Sequence, residues 1–297
     1  MKFKAFYRDD YYAETETQSM RKLRPVAEEV QRLGLAEITD GGSGEKVIPK
    51  LRKLHCPDFV KAFDEGDGFL ASSQGWNWTP QIRNGVFAIN QGMISATKAA
   101  LKDGIAANIA QGFHHSGYSM GCGFCTFNGL ALVAAENPRL KVAVLDCDQH
   151  GGNGTEEFIG RLKNLYQCTI NGTSFGCEGG ERSKVFTLRT AIRDNFAPYK
   201  KAMEKSFEHI KGWSPDLLIY QAGADPHEND PLGSLMMTAE QMRQRDAMAF
   251  EFCKREKLPV LFVLAGGYQQ MRDLVPLHVQ TFEEAARVYD TVNPDLS

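Results

Sequence analysis

Short apolar runs alternate along the chain with segments whose apolar residues recur at helical spacing. Residues 142–145 (VAVL), 217–220 (LLIY) and 260–264 (VLFVL) are near-continuous apolar runs with β-branched residues, typical of strands buried on both faces of a parallel sheet. A weaker run, residues 105–109, is interpreted as a fourth strand. The alternation predicts an α/β fold in which helices flank a central parallel sheet.

Helices are predicted at three particular places. The first ends before Gly34 and carries apolar residues spaced by three or four positions, which are Met20, Leu23, Val26, Val30 and Leu33. The second begins at Thr238, which forms a capping box with Gln241. The third begins at Thr155, and its apolar face comprises Phe158, Ile159 and Leu162.

A glycine-rich polar segment follows each of the four apolar runs. In chain order these segments read QGFHHSG, DCDQHGGNG, QAGADPHEND and AGGYQQ. They contain His114, His115, Asp146, Asp148, His150, Asp225 and Tyr268. Because ligands bind outside the carboxyl ends of the strands in open parallel sheets, we expect the four segments to form a single site.

The segment after residues 142–145 and that after residues 217–220 predict a metal site. Asp146, Asp148 and His150 alternate along an extended segment and are expected to point to one side. Two of them, together with Asp225, would provide the three protein ligands of a catalytic zinc ion. One imidazole and two carboxylates also suit Fe²⁺ or Co²⁺. The alternative is that the aspartates only cap the following turn, and the other segments favour the metal.

The neighbouring His114 and His115 are candidates for proton transfer. At a strand end beside a metal, their imidazoles could carry protons to and from an activated water. Each ring would need a partner on its other nitrogen, and Asp146 and Asn153 lie on the adjacent segment. Histidines of this kind also occur as hydrogen-bonded core residues, and taken alone the pair favours that alternative.

Tyr268 follows two glycines, Gly266 and Gly267, at the end of the last apolar run. A phenol on such a flexible segment is a candidate donor to a developing oxyanion. The alternative is a tyrosine that only packs at a strand end.

Composition narrows the class of protein and of partner. Of the 297 residues, 42% are hydrophobic and 24% are charged, as in ordinary globular proteins. A net charge of −3 lacks the basic surplus of non-specific nucleic-acid binding, so no nucleic-acid partner is expected. The longest apolar run, residues 258–265, is too short to span a membrane, and the first residues do not resemble a signal peptide. Seven scattered cysteines do not suggest a disulfide framework, which favours a soluble cytoplasmic protein with no membrane partner.

We find no linker and no internal repeat along the chain. The most loop-rich break, residues 38–46 (ITDGGSGEK), is too short and too early to separate two domains. Residues 1–297 are therefore predicted to form a single domain, while its oligomeric state stays open.

Four motifs resemble the zinc-dependent histone deacetylase family, in the family's order and spacing. They are HHSGYSMGCGFCTFNGLALVAAE, DCDQHGGNGTEEF, QAGADPHENDPLG and LAGGY. Residues 53–63 (KLHCPDFVKAF) and 78–81 (WTPQ) resemble the family's N-terminal third, so the resemblance extends to about residues 53–268. It implies an arginase–deacetylase fold and hydrolysis of an acylated amine, such as an acetyl-lysine peptide, an acetylated polyamine or another small amide. The products would be a carboxylate and a primary amine.

The resemblance also implies roles for particular residues. The implied zinc ligands are Asp148, His150 and Asp225. The implied catalytic residues are His115 as general base, His114 as electrostatic support, Tyr268 as oxyanion donor, Asp146 beside His114, and Asn153 beside His115. The implied substrate-binding residues are Phe124, as one wall of an acyl channel, with Gly123 and Gly267. The family also tends to hold a structural potassium ion, at backbone oxygens near Asp146, Asp148 and His150.

Departures from the family pattern concern the second motif and the substrate channel. Gly151 stands where the family usually has a second histidine, and Asn153 replaces the aspartate of class I enzymes. This pattern is closest to class IV and class II members. The sequence does not locate a second aromatic wall residue. Glu228 and Asp230 are expected to face the channel mouth and to favour cationic substrates.

Two alternatives remain at the level of function. An arginase-like ureohydrolase on the same fold would bind two manganese ions, for which further bridging carboxylates would be needed. A non-catalytic acyl-lysine-binding protein would be expected to lack the proton-transfer and oxyanion groups. The presence of His114, His115 and Tyr268 favours the amidohydrolase.

Overall fold

Eight parallel strands form the centre of the molecule. The computed structural model describes residues 2–289. The strands are β1 (Lys4–Phe6), β2 (Glu37–Thr39), β3 (Ile105–Asn108), β4 (Val142–Asp146), β5 (Leu165–Asn171), β6 (Ser183–Thr187), β7 (Leu217–Ala222) and β8 (Val260–Leu264). They form one sheet in the order β2–β1–β3–β8–β7–β4–β5–β6, and each neighbouring pair is parallel. The predicted α/β fold with a central parallel sheet is confirmed.

The four strands predicted from the apolar runs are β3, β4, β7 and β8, and they lie side by side in the order β3–β8–β7–β4. All their residues are buried, which explains why their sequences are almost continuously apolar. Because the four strands are parallel, their carboxyl ends meet at one edge of the sheet. The polar segments that follow them are therefore brought together at that edge.

Ten α-helices are found within residues 2–289. They are α1 (Gln18–Arg21), α2 (Leu23–Arg32), α3 (Ile48–Leu54), α4 (Pro57–Glu65), α5 (Pro80–Asp103), α6 (Gly129–Glu136), α7 (Asn153–Ile159), α8 (Ala197–Trp213), α9 (Ala239–Glu256) and α10 (Met271–Tyr289). None of these described helices has the combined length and apolar character that a membrane-spanning helix needs.

The predicted helices are present with shifted boundaries. The capping box at the start of α9 is confirmed, because the Thr238 hydroxyl accepts a hydrogen bond from the Gln241 amide and the Gln241 side chain accepts one from the Thr238 amide. The first predicted helix is divided at Lys22 into α1 and α2. The third begins two residues earlier than predicted, at Asn153, and Leu162 lies beyond its end.

The sheet separates two apolar layers. Along β4, Ala143 and Leu145 face the layer that α2, α8, α9 and α10 cover. Val142 and Val144 face the opposite layer, which α3 to α7 cover. This two-layer packing fixes the strands, and with them the loops at their carboxyl ends.

Candidate active site

The three predicted metal ligands converge at the carboxyl edge of the sheet. Asp148 and His150 lie in the loop after β4, and Asp225 lies in the loop after β7. The His150 Nδ1 atom is 3.3 Å from Asp148 Oδ1 and 3.2 Å from Asp225 Oδ2. One ligand atom from each residue lies within 4.8 Å of the others. Both carboxylates are buried, so their charge has little access to solvent.

This donor set fits a divalent metal ion. Two ligand atoms about 2.1 Å from a tetrahedral ion are about 3.4 Å apart, close to the observed separations. The backbone amide of Gly266 donates to Asp148 Oδ2 at 2.7 Å, which fixes that carboxylate. A Cβ atom on Gly266 would collide with the Asp225 carboxylate, so only glycine allows the chain to pass this close. The loop after β8 therefore completes the cradle around the ligands.

The side chains of the ligand cluster have strongly shifted pKa values. Burial, together with the charge of Asp148, raises the pKa of Asp225 to about 7. Burial lowers the pKa of His150, but hydrogen bonds and charges from the two carboxylates outweigh it and raise that pKa to about 10. Two buried carboxylates thus repel each other at neutral pH, and a divalent cation would relieve this repulsion.

A buried lysine places positive charge near the ligands. Lys22, between α1 and α2, is 1% exposed, and its ammonium donates a hydrogen bond to the carbonyl oxygen of Ala265. Burial lowers its pKa to about 8, although the charges of Asp225, Asp148 and Asp230 act in the opposite direction. Sequence reasoning missed this residue, because a lysine within an amphipathic helix pattern normally lies in solvent.

The histidine pair lies beside the ligand cluster, and each ring has a partner. His114 Nδ1 is 2.7 Å from Asp146 Oδ2, and His115 Nδ1 is 2.7 Å from Asn153 Oδ1. The centroids of the two imidazole rings are 3.9 Å apart. Asp146 is the last residue of β4 and is fully buried, so it fixes the His114 ring from the sheet itself.

The two imidazoles differ in their tendency to hold a proton. Burial lowers the pKa of His114, but the charges of Asp146 and Asp148 outweigh it, so the pKa is raised. Burial and the neighbouring His114 hold the pKa of His115 well below its usual value. The opposite pKa shifts of these two imidazoles suit an electrostatic support and a neutral general base.

Tyr268 reaches the same cavity as His114 and Asp148, from the loop after β8. Its backbone amide donates to Asp230 Oδ2 at 2.7 Å, which anchors the loop that carries the phenol. Burial and the charges of Asp225 and Asp148 hold the pKa of Tyr268 well above its usual value. The hydroxyl therefore stays protonated and can donate a hydrogen bond.

The expectation that Asp230 faces the channel mouth is wrong. Asp230 is 6% exposed, and its carboxylate accepts hydrogen bonds from the amides of Tyr268 and Leu232. Glu228 is paired with Arg193 at 2.7 Å. The Asp230 carboxylate thus serves the loop structure, because a tight turn leaves backbone amides that need acceptors.

Two aromatic rings flank the site. Phe124 follows Gly123 in a turn where both residues have positive φ, of 62° and 52°, and its ring is 5.7 Å from that of Tyr268. Phe175 is 37% exposed, and its ring is 4.1 Å from that of His115. Phe175 is therefore a candidate for the second aromatic wall, and the sequence did not locate it because it lies in an irregular loop after β5.

The two glycines expected to bind substrate have different surroundings. Gly123 lines the cavity, and a Cβ atom there would lie 2.6 Å from the His115 ring. Gly267 has a φ of 145°, a value that L side chains rarely adopt. A Cβ atom on Gly267 would meet Leu274 and Ala224, so this glycine allows the loop before Tyr268 to pack closely on α10.

Comparison with known proteins adds to this geometry. A family model described as the histone deacetylase domain matches residues 18–282. Histone deacetylase 2 of Arabidopsis thaliana is 30% identical over 189 residues, which cover 60% of this chain and 48% of the relative. Acetylpolyamine amidohydrolase 1 of Pseudomonas aeruginosa is 26% identical over 171 residues, which cover 52% and 48%. The chain thus matches about half the length of these two relatives.

A solved structure shows the same fold. The crystal structure of acetylpolyamine aminohydrolase from Burkholderia pseudomallei matches with a TM-score of 0.79 at 14% identity, and the match covers 96% of this chain and 99% of that one. A likeness at this identity concerns the fold, and it confirms the fold expected from the sequence motifs.

Proposed function

The chain belongs to the histone deacetylase domain family, and from this premise we propose that it is a metal-dependent amidohydrolase that removes an acetyl group from a primary amine. Family membership confirms the resemblance found in the sequence motifs. The observation that carries the proposal is the convergence of three metal-ligating side chains with a supported histidine pair and a protonated tyrosine. These groups together meet the requirements of metal-assisted hydrolysis.

We propose that Asp148, His150 and Asp225 hold one zinc ion. Bound there, zinc would polarise the acyl carbonyl and lower the pKa of its water toward about 7. The same ligands also suit Fe²⁺ or Co²⁺, so the identity of the metal is to be determined by the reconstitution experiment below. A potassium ion near the backbone of this loop stays a prediction from the resemblance.

His115 is the proposed general base. Its Nδ1 faces the amide oxygen of Asn153, which can only accept a hydrogen bond, so Nδ1 carries the proton and Nε2 is free to accept another. Its lowered pKa keeps the ring neutral near pH 7. In the proposed reaction Nε2 takes a proton from the attacking water and later gives it to the leaving amine.

Two further groups would stabilise the charge that develops during the reaction. The Tyr268 hydroxyl donates to the oxyanion, for which its raised pKa suits it. His114, held by Asp146, supplies positive charge beside the base. Phe124 and Phe175 would enclose the aliphatic part of a substrate such as acetyl-lysine or an acetylated polyamine.

The two alternatives have less support. A two-manganese ureohydrolase needs a second set of ligands, whereas the His, Cys, Asp and Glu side chains of residues 2–289 form one group that could hold a metal. A binding protein without activity has no need of two neighbouring histidines whose pKa values are shifted in opposite directions.

A turnover panel tests the proposal. The protein is reconstituted with Zn²⁺, Fe²⁺, Co²⁺ or Mn²⁺ and assayed with an acetyl-lysine peptide, an acetylated polyamine, a longer acyl-lysine peptide and arginine. We expect amine release from an acetylated substrate with one metal ion per chain. Urea release with two ions per chain would instead support the ureohydrolase. Metal-loaded, folded protein that hydrolyses none of the amides would overturn the proposal.

Replacement of Asn153 by Asp is expected to shift the pH dependence. A carboxylate beside His115 would stabilise its imidazolium and raise the pKa that burial now depresses. Because the base must be neutral to act, the acidic limb of the kcat/KM profile should move to higher pH, by about one unit. The profile is measured at saturating metal, with the metal content verified. An unmoved acidic limb would mean that His115 does not control it.

A further inference from the structure

A small cavity adjoins the proposed metal ligands and the proposed oxyanion donor. Its lining includes His114, Asp148 and Tyr268, and also Gln111 and Gln221. Its free volume is about 20 Å³, room for roughly one water molecule. Phe124 in this lining is half-buried, whereas both glutamines are less than a tenth exposed. The cavity is therefore a narrow pocket whose lining includes two buried amide side chains.

The two glutamines that line the cavity have amide atoms without hydrogen-bond partners among the described residues. Gln111 follows β3, three residues before His114, and is 6% exposed. Both its Nε2 and its Oε1 are buried without a hydrogen-bond partner among the described residues, and so is Oε1 of Gln221. Buried polar atoms of native proteins are nearly always satisfied by protein, water or ligand. The amide of Gln111 is thus directed to whatever occupies the pocket.

We propose that Gln111 limits the acyl pocket and restricts the substrate to short acyl groups, above all acetyl. This inference rests on the proposed amidohydrolase function. The methyl group of an acetyl substrate needs less space in the pocket than any longer acyl chain. Each added methylene needs space comparable to the whole free volume, which the Gln111 side chain would have to vacate. It would also bury the unpartnered amide against hydrocarbon, which is unfavourable.

Two substitutions distinguish the effect of the length of the Gln111 side chain on acyl-chain selectivity from the effect of its polarity. Gln111→Ala shortens the side chain, whereas Gln111→Met removes the amide and keeps the length. The control is Gln91→Ala, which removes a buried glutamine that hydrogen-bonds Gly41 and does not line the cavity. For each variant, kcat/KM is measured for acetyl-, butyryl- and hexanoyl-lysine in one peptide, and the metal content and melting temperature are recorded.

We expect wild type to favour acetyl-lysine, and Gln111→Ala to raise the butyryl-to-acetyl ratio by about tenfold, the lower end of what one methylene contributes to discrimination. Gln111→Met removes the amide but still fills the pocket, so it should raise the ratio by clearly less than Gln111→Ala does, and Gln91→Ala should leave the ratio within about threefold of wild type, below the effect of one methylene. Equal rates for all three substrates in wild type would overturn the inference. So would an unchanged ratio in folded, metal-loaded Gln111→Ala, or a rise in Gln111→Met equal to that in Gln111→Ala.

A binding measurement keeps this inference distinct from the proposed function. If metal-loaded wild type hydrolyses none of the peptides, the proposed function fails. Titration calorimetry with the same acetyl- and butyryl-lysine peptides then decides the inference on affinity. A preference for the acetyl peptide that Gln111→Ala removes would support it, and equal affinities in wild type would overturn it.

Discussion

Replacing Asp225 by Asn is expected to remove the metal ion and, with it, nearly all amidohydrolase activity. The substitution preserves the shape of the side chain but withdraws one of two anionic ligands, which face His150 at 3.2 and 3.3 Å. Loss of a mere hydrogen-bond partner of a ligand costs about 10–100-fold in metal affinity, so loss of the ligand itself should cost more. The measurement is metal content by elemental analysis after dialysis, together with kcat/KM at added metal.

A matched control for this variant lies five residues further along the same loop. Asp230 is also a buried carboxylate, but it accepts hydrogen bonds from the backbone amides of Tyr268 and Leu232. Asp230→Asn should therefore keep its metal ion. Full metal occupancy in Asp225→Asn, or equal metal loss in the two variants, would contradict the assignment of Asp225 as a ligand.

The parts of the fold that the sequence predicts are those where burial acts on every residue of a segment. β4, β7 and β8 are buried on both faces, and this requirement leaves continuous apolar runs that few other structures produce. Because β3, β4, β7 and β8 are neighbours, the polar segments that follow them could be assigned to one edge of the sheet.

Strands without a continuous apolar run could not be predicted from the sequence. β2 has three residues and none is buried, so its sequence shows no hydrophobic pattern that would predict a strand. β5 is buried throughout, but its sequence LYQCTIN includes polar side chains whose hydrogen bonds form only in the folded protein. Gln167, for example, bonds to Gly152 and Ser183.

Long-range contacts explain what was missed in the site. Phe175 lies beside His115 although 60 positions separate them, and its loop has no periodic pattern. The role of Gln111 depends on which residues surround it, because a glutamine after a strand has no distinctive sequence pattern. Asp230 was expected at the channel mouth because it follows the ligand Asp225 in sequence, whereas its carboxylate accepts a hydrogen bond from the amide of Tyr268.

Replacing Tyr268 by Phe is expected to lower kcat by about 10²–10³-fold, the range observed when one oxyanion donor is removed. The substitution removes only the hydroxyl. The loop should keep its position, because the hydroxyl takes no part in the hydrogen bond from the Tyr268 backbone amide to Asp230 or in the ring contact with Phe124. Burial and the carboxylates of Asp225 and Asp148 keep the phenol protonated, so its donor function should persist across the pH range of activity.

Separate measurement of kcat and KM shows whether the hydroxyl acts in the transition state or in substrate binding. An interaction made only in the transition state lowers kcat and kcat/KM together, so KM and metal content should be nearly unchanged in Tyr268→Phe. Tyr118→Phe is the matched control, because Tyr118 lies in the loop after the histidine pair but its ring stacks on Arg161 at 3.8 Å. Its kcat should equal that of wild type. Near wild-type kcat in Tyr268→Phe would exclude the phenol from the chemical step, and a similar loss in both variants would attribute the effect to the loops instead of to the oxyanion.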